Sequence, residues 1–127
     1  MIKFNESAPI YLQIVEKIKA DIVAGKLKGG DKLPSVRDIA ESFKVNPNTV
    51  QRVFMELEHE KVAYSQRGIG TFVSEEPQLV EKLRDTQAQK YTGRYVGEMK
   101  ELGMNDEEIL KNVKKFLEGN CNDNIEG

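Results

Sequence analysis

Between residues 46 and 52, five side chains that make directional hydrogen bonds stand close together: Asn46, Asn48, Thr49, Gln51 and Arg52. Amides and a guanidinium present donors and acceptors in pairs that match the edges of nucleic-acid bases. If this segment opens a helix, the backbone N–H groups of its first turn add a site for a phosphate. The plainer reading is a solvated helix face with a cap, and on local sequence both readings stand. Arg37 lies where a second helix would start, a place where a cation opposes the helix dipole. A phosphate or base contact would account for it, and an ion pair with Asp38 or Glu41 is the alternative. Further on, Gln66, Arg67, Gly68 and Gly70 combine a charge with glycines that let backbone approach a phosphate or a minor-groove wall. Most such tips are only turns, so this one gains weight from what precedes it.

The elements that must hold these residues can be read from periodicity. After Ser7-Ala8-Pro9, a plausible cap and first turn, Ile10, Ile14, Ile18 and Ile22 recur at spacing four with Tyr11, Val15 and Val23 beside them, and Gly25 ends the helix. Ser35 stands before Val36-Arg37-Asp38, so its hydroxyl can cap the third amide of a short helix that turns Ile39, Ala40 and Phe43 inward. Val45-Asn46-Pro47-Asn48 then supplies a break, a capping Asn46 and a proline suited to a first helical turn. The helix that follows places Val50, Val53, Phe54 and Leu57 on one face. From Val62 the period changes. Val62-Ala63-Tyr64-Ser65 and Thr71-Phe72-Val73 are β-prone, and the glycines between them suit a tight hairpin. Three helices followed by a hairpin is the order of a winged helix. Its helix-turn-helix requires a small residue in the packing, which Ala40 provides, with Val50 as the matching apolar contact. Lys44 stands where such turns often have glycine, which requires a backbone there that is not strongly left-handed.

Beyond Pro77 a long helical pattern carries Leu79, Val80, Leu83, Tyr91, Tyr95, Met99 and Leu102 near one stripe and ends at Gly103. A second helix opens on Asn105 and Glu108 as a capping-box pair, carries Ile109, Leu110, Val113, Phe116 and Leu117, and ends at Gly119. Two amphipathic helices cannot bury both stripes on each other. A second copy of the chain is the economical partner, with Leu79, Leu83, Tyr91, Tyr95, Met99, Leu102, Ile109, Val113, Phe116 and Leu117 as the dimerisation candidates. The fold class expected is therefore α+β: a winged helix-turn-helix over 1–75, a helical dimerisation region over 76–119, and a disordered tail over 120–127.

Composition narrows the function. In 127 residues, 21 acidic and 19 basic side chains give a net charge of −2, so affinity for a polyanion must come from a local patch. Residues 1–75 carry 11 basic and 10 acidic groups, and 76–127 carry 8 and 11, so the first part is net +1 and the second net −3. One cysteine, Cys121, and one histidine, His59, exclude an internal disulfide and a Cys- or His-rich metal cluster. No metal and no cofactor is expected, and neither residue is given a role. No segment is long and apolar enough to suggest a membrane span, and the N-terminus lacks the apolar core of a signal peptide, so a cytoplasmic protein is expected. Without a Cys-His or Ser-His pair or a phosphate loop of the Gly-x4-Gly-Lys type, an enzyme finds no support. Glu41, Glu56, Glu58 and Glu60 are more economically solvated helix charges.

Taken together, Leu33-Pro34-Ser35-Val36-Arg37-Asp38-Ile39-Ala40, Val45-Asn46-Pro47-Asn48-Thr49-Val50-Gln51-Arg52 and Gly68-Ile69-Gly70-Thr71-Phe72-Val73 resemble the DNA-binding domain of the GntR family of bacterial transcription regulators. The resemblance covers about residues 9–73 with three motifs in order. The Asn-Pro-Asn-Thr-Val segment and the short two-helix remainder are similar to the YtrA subfamily. This resemblance implies a homodimer on a palindromic double-stranded operator, usually repressing a nearby operon, often one encoding an ABC transporter. It further implies DNA contacts at Arg37, Asn48, Thr49, Arg52, Arg67 and Gly68, with Ser35 and Gln51 in support; Asn46 and Gly70 complete the candidate set. The family often has glycine where Lys61 stands, a departure that bears on how the chain leaves the third helix. It often has a basic or polar residue at Ile69, whose absence removes one phosphate contact and points to a weaker wing.

About 50 residues follow the wing, enough for an interface on the order of 800 Å² per partner but not for a roomy closed pocket. A small-molecule effector, if any, would have to sit between subunits or between the helices and the winged domain, near Tyr91, Arg94, Tyr95 and Met99. Packing alone is the plainer account of those residues. One head of net charge +1 binds DNA weakly, whereas two linked heads gain from effective concentration. The alternative function is a winged helix serving as a protein-interaction module, which near-neutral charge would suit.

Overall fold

A helix on a small domain is held by one apolar face, and the isoleucines of the first segment supply it. The computed structural model describes residues 8–119. Helix α1 spans Ile10–Val23 and buries Ile14, Val15, Ile18 and Ile22. Ile10, counted with that stripe in the sequence, lies in the first turn and stays exposed. The helix begins after Pro9 without a side-chain cap; Ser7 and the tail from Asn120, with Cys121, lie outside the described residues.

Helix α2 spans Val36–Phe43, and Ser35 Oγ accepts a bond from Asp38 N at 3.0 Å, the cap expected of it. Helix α3 spans Pro47–His59 and buries Val50, Val53, Phe54 and Leu57, the four residues its periodicity selects. These side chains join those of α1 and α2 in one apolar cluster that also holds Leu33, Val62, Ala63 and Val73. Full burial of each such side chain is worth roughly 1.5–3 kcal/mol, so α3 is anchored along its whole inner face.

Strands β1, Ala63–Gln66, and β2, Gly70–Val73, pair antiparallel, with Tyr64 opposite Phe72. The two rings stack at 5.7 Å between centroids. Residues 31–33 add a third extended segment on the other edge of β2. Leu33 N donates to Thr71 O and Val73 N to Asp31 O, each at 2.8 Å, around a bridge between Lys32 and Phe72. The sequence did not show this segment as a strand because glycines and charges surround its one apolar residue, Leu33.

Two helix ends differ from expectation. Lys44 closes α2 at φ 59° and ψ 50°, so the backbone in the helix-turn-helix is left-handed after all. Val45 N still reaches Ala40 O at 3.0 Å and completes the cap. Lys61 ends α3 in the same way at φ 61°. Lys61 N donates to Glu58 O and Val62 N to Leu57 O, which is the bond pattern of a glycine-terminated helix carried by a lysine. The chain therefore leaves α3 by the route a glycine would give it, at a cost of about 1–2 kcal/mol in backbone strain.

Helices α4, Leu79–Glu101, and α5, Asp106–Leu117, follow. The chain divides into two compact units between Thr86 and Gln87. The expected boundary at 75 marks the end of the hairpin, but the first unit continues into α4. Leu79 and Leu83, expected at a dimer face, are instead buried in the core of that first unit, because the apolar stripe at the start of α4 has the winged domain's own cluster to cover. In the second unit Asn105 and Glu108 form the predicted capping box. Asn112 Nδ2 donates to Tyr95 Oη at 3.0 Å, tying α5 to α4.

Lys61→Gly is expected to stabilise the protein by about 1 kcal/mol, seen as a higher urea midpoint with unchanged slope in circular dichroism. Leu83→Ala is expected to cost about 2–5 kcal/mol in the same measurement. A change in oligomeric state without loss of stability would return Leu83 to an interface.

Candidate nucleic-acid interface

With the inner face of α3 committed to the core, the residues between its buried positions must face outward. Asn48, Gln51 and Arg52 are exposed, and Thr49 is half-buried. The first turn is less open to a phosphate than the sequence suggested. Pro47 has no N–H, Asn46 Oδ1 accepts from Asn48 N at 2.7 Å, and Thr49 N donates to Asn46 O at 2.9 Å. Asn46 thus acts first as the cap of α3.

A groove of about 660 Å³ runs between the start of α2, the outer face of α3 and the hairpin. It brings together Ser35, Gln51 and Gly70 from the candidate set with Lys32, Ser65 and Thr71. Ser65 Oγ donates to Glu58 Oε2 at 2.8 Å and lies 3.3 Å from Thr71 Oγ1, so the wall of the groove is hydrogen-bonded within itself. Arg67 and Gly68 are exposed at the hairpin tip, where Ile69 N donates to Gln66 O at 2.9 Å and Gly68 takes φ 78°. That turn requires a residue at ease with positive φ.

Arg52 does not line this groove. Its guanidinium lies 4.0 Å from the centroid of the Tyr11 ring on α1, beside a separate depression shared with Met55, Glu56 and His59. One residue of helix turns a side chain by about 100°, which separates Arg52 from Gln51. Nearby, Glu56 is raised above the ordinary carboxylate range, chiefly by a hydrogen bond shared with Glu60. For Glu60 burial works upward, but the bonds from Glu56 and Lys19 outweigh it and the carboxyl is lowered. Arg37 Nε stands 3.8 Å from Glu41 Oε2, both side chains well exposed, an ion pair too loose and too solvated to hold the guanidinium strongly.

Two residues of this surface had no signal in the sequence reading. Tyr11 stands in the apolar pattern of α1 as a packing residue would, and its partner Arg52 is 41 positions away. Lys32 was one lysine in a charged loop, and only the pairing of residues 31–33 with β2 carries it to the wing.

A model of bacterial regulatory proteins of the gntR family matches residues 10–73, the span that builds this groove. The chain belongs to that family. It is 44% identical to the HTH-type transcriptional regulator YhcF of Bacillus subtilis, over 92% of this chain and 97% of that one. It is 48% identical to the Bacillus subtilis HTH-type transcriptional repressor YtrA over 56% of this chain, about half of YtrA's length. Among solved structures, a GntR family transcriptional regulator from Listeria monocytogenes superposes with a TM-score of 0.78 at 43% identity, covering 88% of this chain and 98% of that one. The AraR DNA-binding domain in complex with operator ORX1 superposes at 0.53 and 28% identity, over 58% of this chain and 93% of that one. This gntR-family member is thus a DNA-binding transcriptional regulator, similar to YtrA-type proteins, in a family of regulators rather than enzymes. Membership decides between DNA and a protein partner, which near-neutral net charge had left open. Among the described residues no helix is long and apolar enough to cross a membrane.

Tyr11→Leu keeps an apolar surface under Arg52 and removes the ring. It is expected to cost about 0.5–1 kcal/mol of stability, and Arg52→Ala in the Tyr11→Leu background should then cost no more. Additive losses in a double-mutant cycle would show that the contact contributes nothing.

Proposed function

We propose that this regulator is a repressor that binds a two-fold symmetric operator as a homodimer, and that its target is a nearby operon of the kind that encodes an ABC transporter. The observation that carries the reading is the groove in which Gln51 of α3 and Gly70 of the hairpin share one concave face with the start of α2. An element that reads base edges and an element that can approach the backbone then address DNA together. In this proposal Asn48, Thr49 and Gln51 meet bases, Arg37, Arg67 and Gly68 meet backbone, and Ser35 and Asn46 hold the two helix starts in place. Arg52 contacts DNA from the Tyr11 side of α3. The 48% identity to a YtrA repressor supports repression, and the ABC transporter rests on the resemblance to that subfamily alone.

Dimerisation is supported by what the second unit leaves uncovered. Leu102 and Leu110 are each 71% exposed, Phe116 50% and Leu117 82%. Leu102 lies just past the end of α4 and the other three are on α5; apolar side chains so placed are costly in a monomer and ordinary at an interface. Tyr91 is also exposed, whereas Tyr95, Met99 and Val113 are half-buried and Ile109 is buried. Tyr91, Leu102, Phe116 and Leu117 therefore remain the expected contacts, and Ile109 belongs to the interior. An effector near Tyr91, Arg94, Tyr95 and Met99 remains part of the proposal without an identity; the Arg94 guanidinium already sits 5.6 Å from the Tyr91 ring.

Fragments of genomic DNA retained by the purified protein at near-physiological salt are expected to share an inverted repeat next to the regulated operon. Absence of any enriched site would overturn sequence-specific repression. On that site Gln51→Ala is expected to lose about 1–3 kcal/mol of discrimination while binding random duplex nearly as before. The pair Phe116→Asp and Leu117→Asp should give a folded monomer by light scattering, with operator affinity greatly reduced. A variant that stays dimeric would place the interface elsewhere.

A further inference from the structure

We infer that Lys32, in the loop before α2, is a phosphate-contacting residue of the wing, supplying from outside the hairpin a second cation beside Arg67. The hairpin tip from Gln66 to Gly70 carries Arg67 as its one charged side chain, and its other large group, Ile69, is apolar and 57% exposed. Lys32 is brought to this tip by its backbone. It bridges Phe72 of β2, and the bonds from Leu33 N to Thr71 O and from Val73 N to Asp31 O hold it on both sides.

The side chain is positioned as well. A Cβ placed on Gly70 would lie 2.6 Å from Lys32 Cε and 3.5 Å from its Nζ, so the lysine stem crosses the space that only glycine leaves empty. Gly70 also takes φ 147°, a backbone state that favours glycine. The end of the lysine side chain thus lies beside Gly70, where a Cβ would make it shift.

Among the described residues Lys32 forms no ion pair. Asp38 and Glu58 line the same groove, yet neither reaches the ammonium, and Glu58 Oε2 is bonded to Ser65 Oγ. An exposed cation left without a counter-charge gains nothing for the fold from its charge. It stands in the groove that also holds Ser35 and Gln51, where, on the DNA-binding arrangement proposed above, a phosphodiester following α3 would pass. An ammonium there acts as a point charge on phosphate and carries no sequence preference.

The test uses the full chain and a fluorescent 30-base-pair duplex of random sequence, with affinity measured across a range of potassium chloride concentrations. Lys32→Gln keeps the stem over Gly70 and removes only the charge. It is expected to lower the slope of log affinity against log salt by about 0.9 for each head engaged, while Lys32→Arg retains the slope. Lys28→Gln, an exposed charge of the same loop, controls for net charge and should leave the slope unchanged. An unchanged slope in Lys32→Gln, or an equal drop in Lys28→Gln, would overturn the assignment.

Discussion

The arrangement of this protein depends on the two-sidedness of α3. Its inner residues Val50, Val53, Phe54 and Leu57 are buried in a cluster with Ile14, Val15, Ile18 and Ile22 of α1 and with Ile39 and Ala40 of α2. Because a helix turns through a fixed angle per residue, burial of one face dictates what the other presents. Slipping α3 by a single residue would bury Gln51 and expose apolar side chains, a change costing several kcal/mol. The outward polar face of α3 is therefore set by the core, because burial of the inner face leaves Asn48, Gln51 and Arg52 exposed. Helix α1 contributes twice, since its isoleucines back α3 from behind and its Tyr11 ring lies against the Arg52 guanidinium.

The wing has a different support. A hairpin of two four-residue strands is marginal alone, and here Tyr64 and Phe72 stack across it while residues 31–33 cover the second edge of β2. That third segment joins the wing to the start of α2, where Ser35 caps the helix. Hairpin, α2 and α3 consequently form one concave surface instead of three separate features. Where α2 and α3 end, lysines 44 and 61 accept a left-handed backbone that glycine would take without strain. The flanking bonds, Val45 N to Ala40 O at 3.0 Å and Val62 N to Leu57 O at 2.8 Å, close the same turn that a glycine would make.

The C-terminal helices carry their apolar residues in two populations. Leu79 and Leu83 belong to the winged unit's core, and Ile109 is buried, whereas Leu102, Leu110, Phe116 and Leu117 remain open. Periodicity cannot separate these groups, since a residue covered by its own chain and one covered by a second copy are written with the same letters. Only three-dimensional burial distinguishes them, which is why a stripe read as one interface resolves into a core part and an uncovered part.

Local signals determined much of this chain. Ser35, Asn46 and Asn105 announced three helix starts because a cap is satisfied within three residues, and the apolar positions of α3 followed from a period of 3.6. The order of three helices and a hairpin, with the motifs around Arg37, Asn48 and Gly68, was enough to place the chain among winged helices and to point to its family. The tertiary structure alone decided what depends on partners distant in sequence: the pairing of residues 31–33 with β2, the placing of Lys32 over Gly70, the stacking of Arg52 on Tyr11, and the burial of Leu79 and Leu83. Those contacts join segments dozens of residues apart, and their geometry follows from how whole elements pack, a property that no short window of sequence carries.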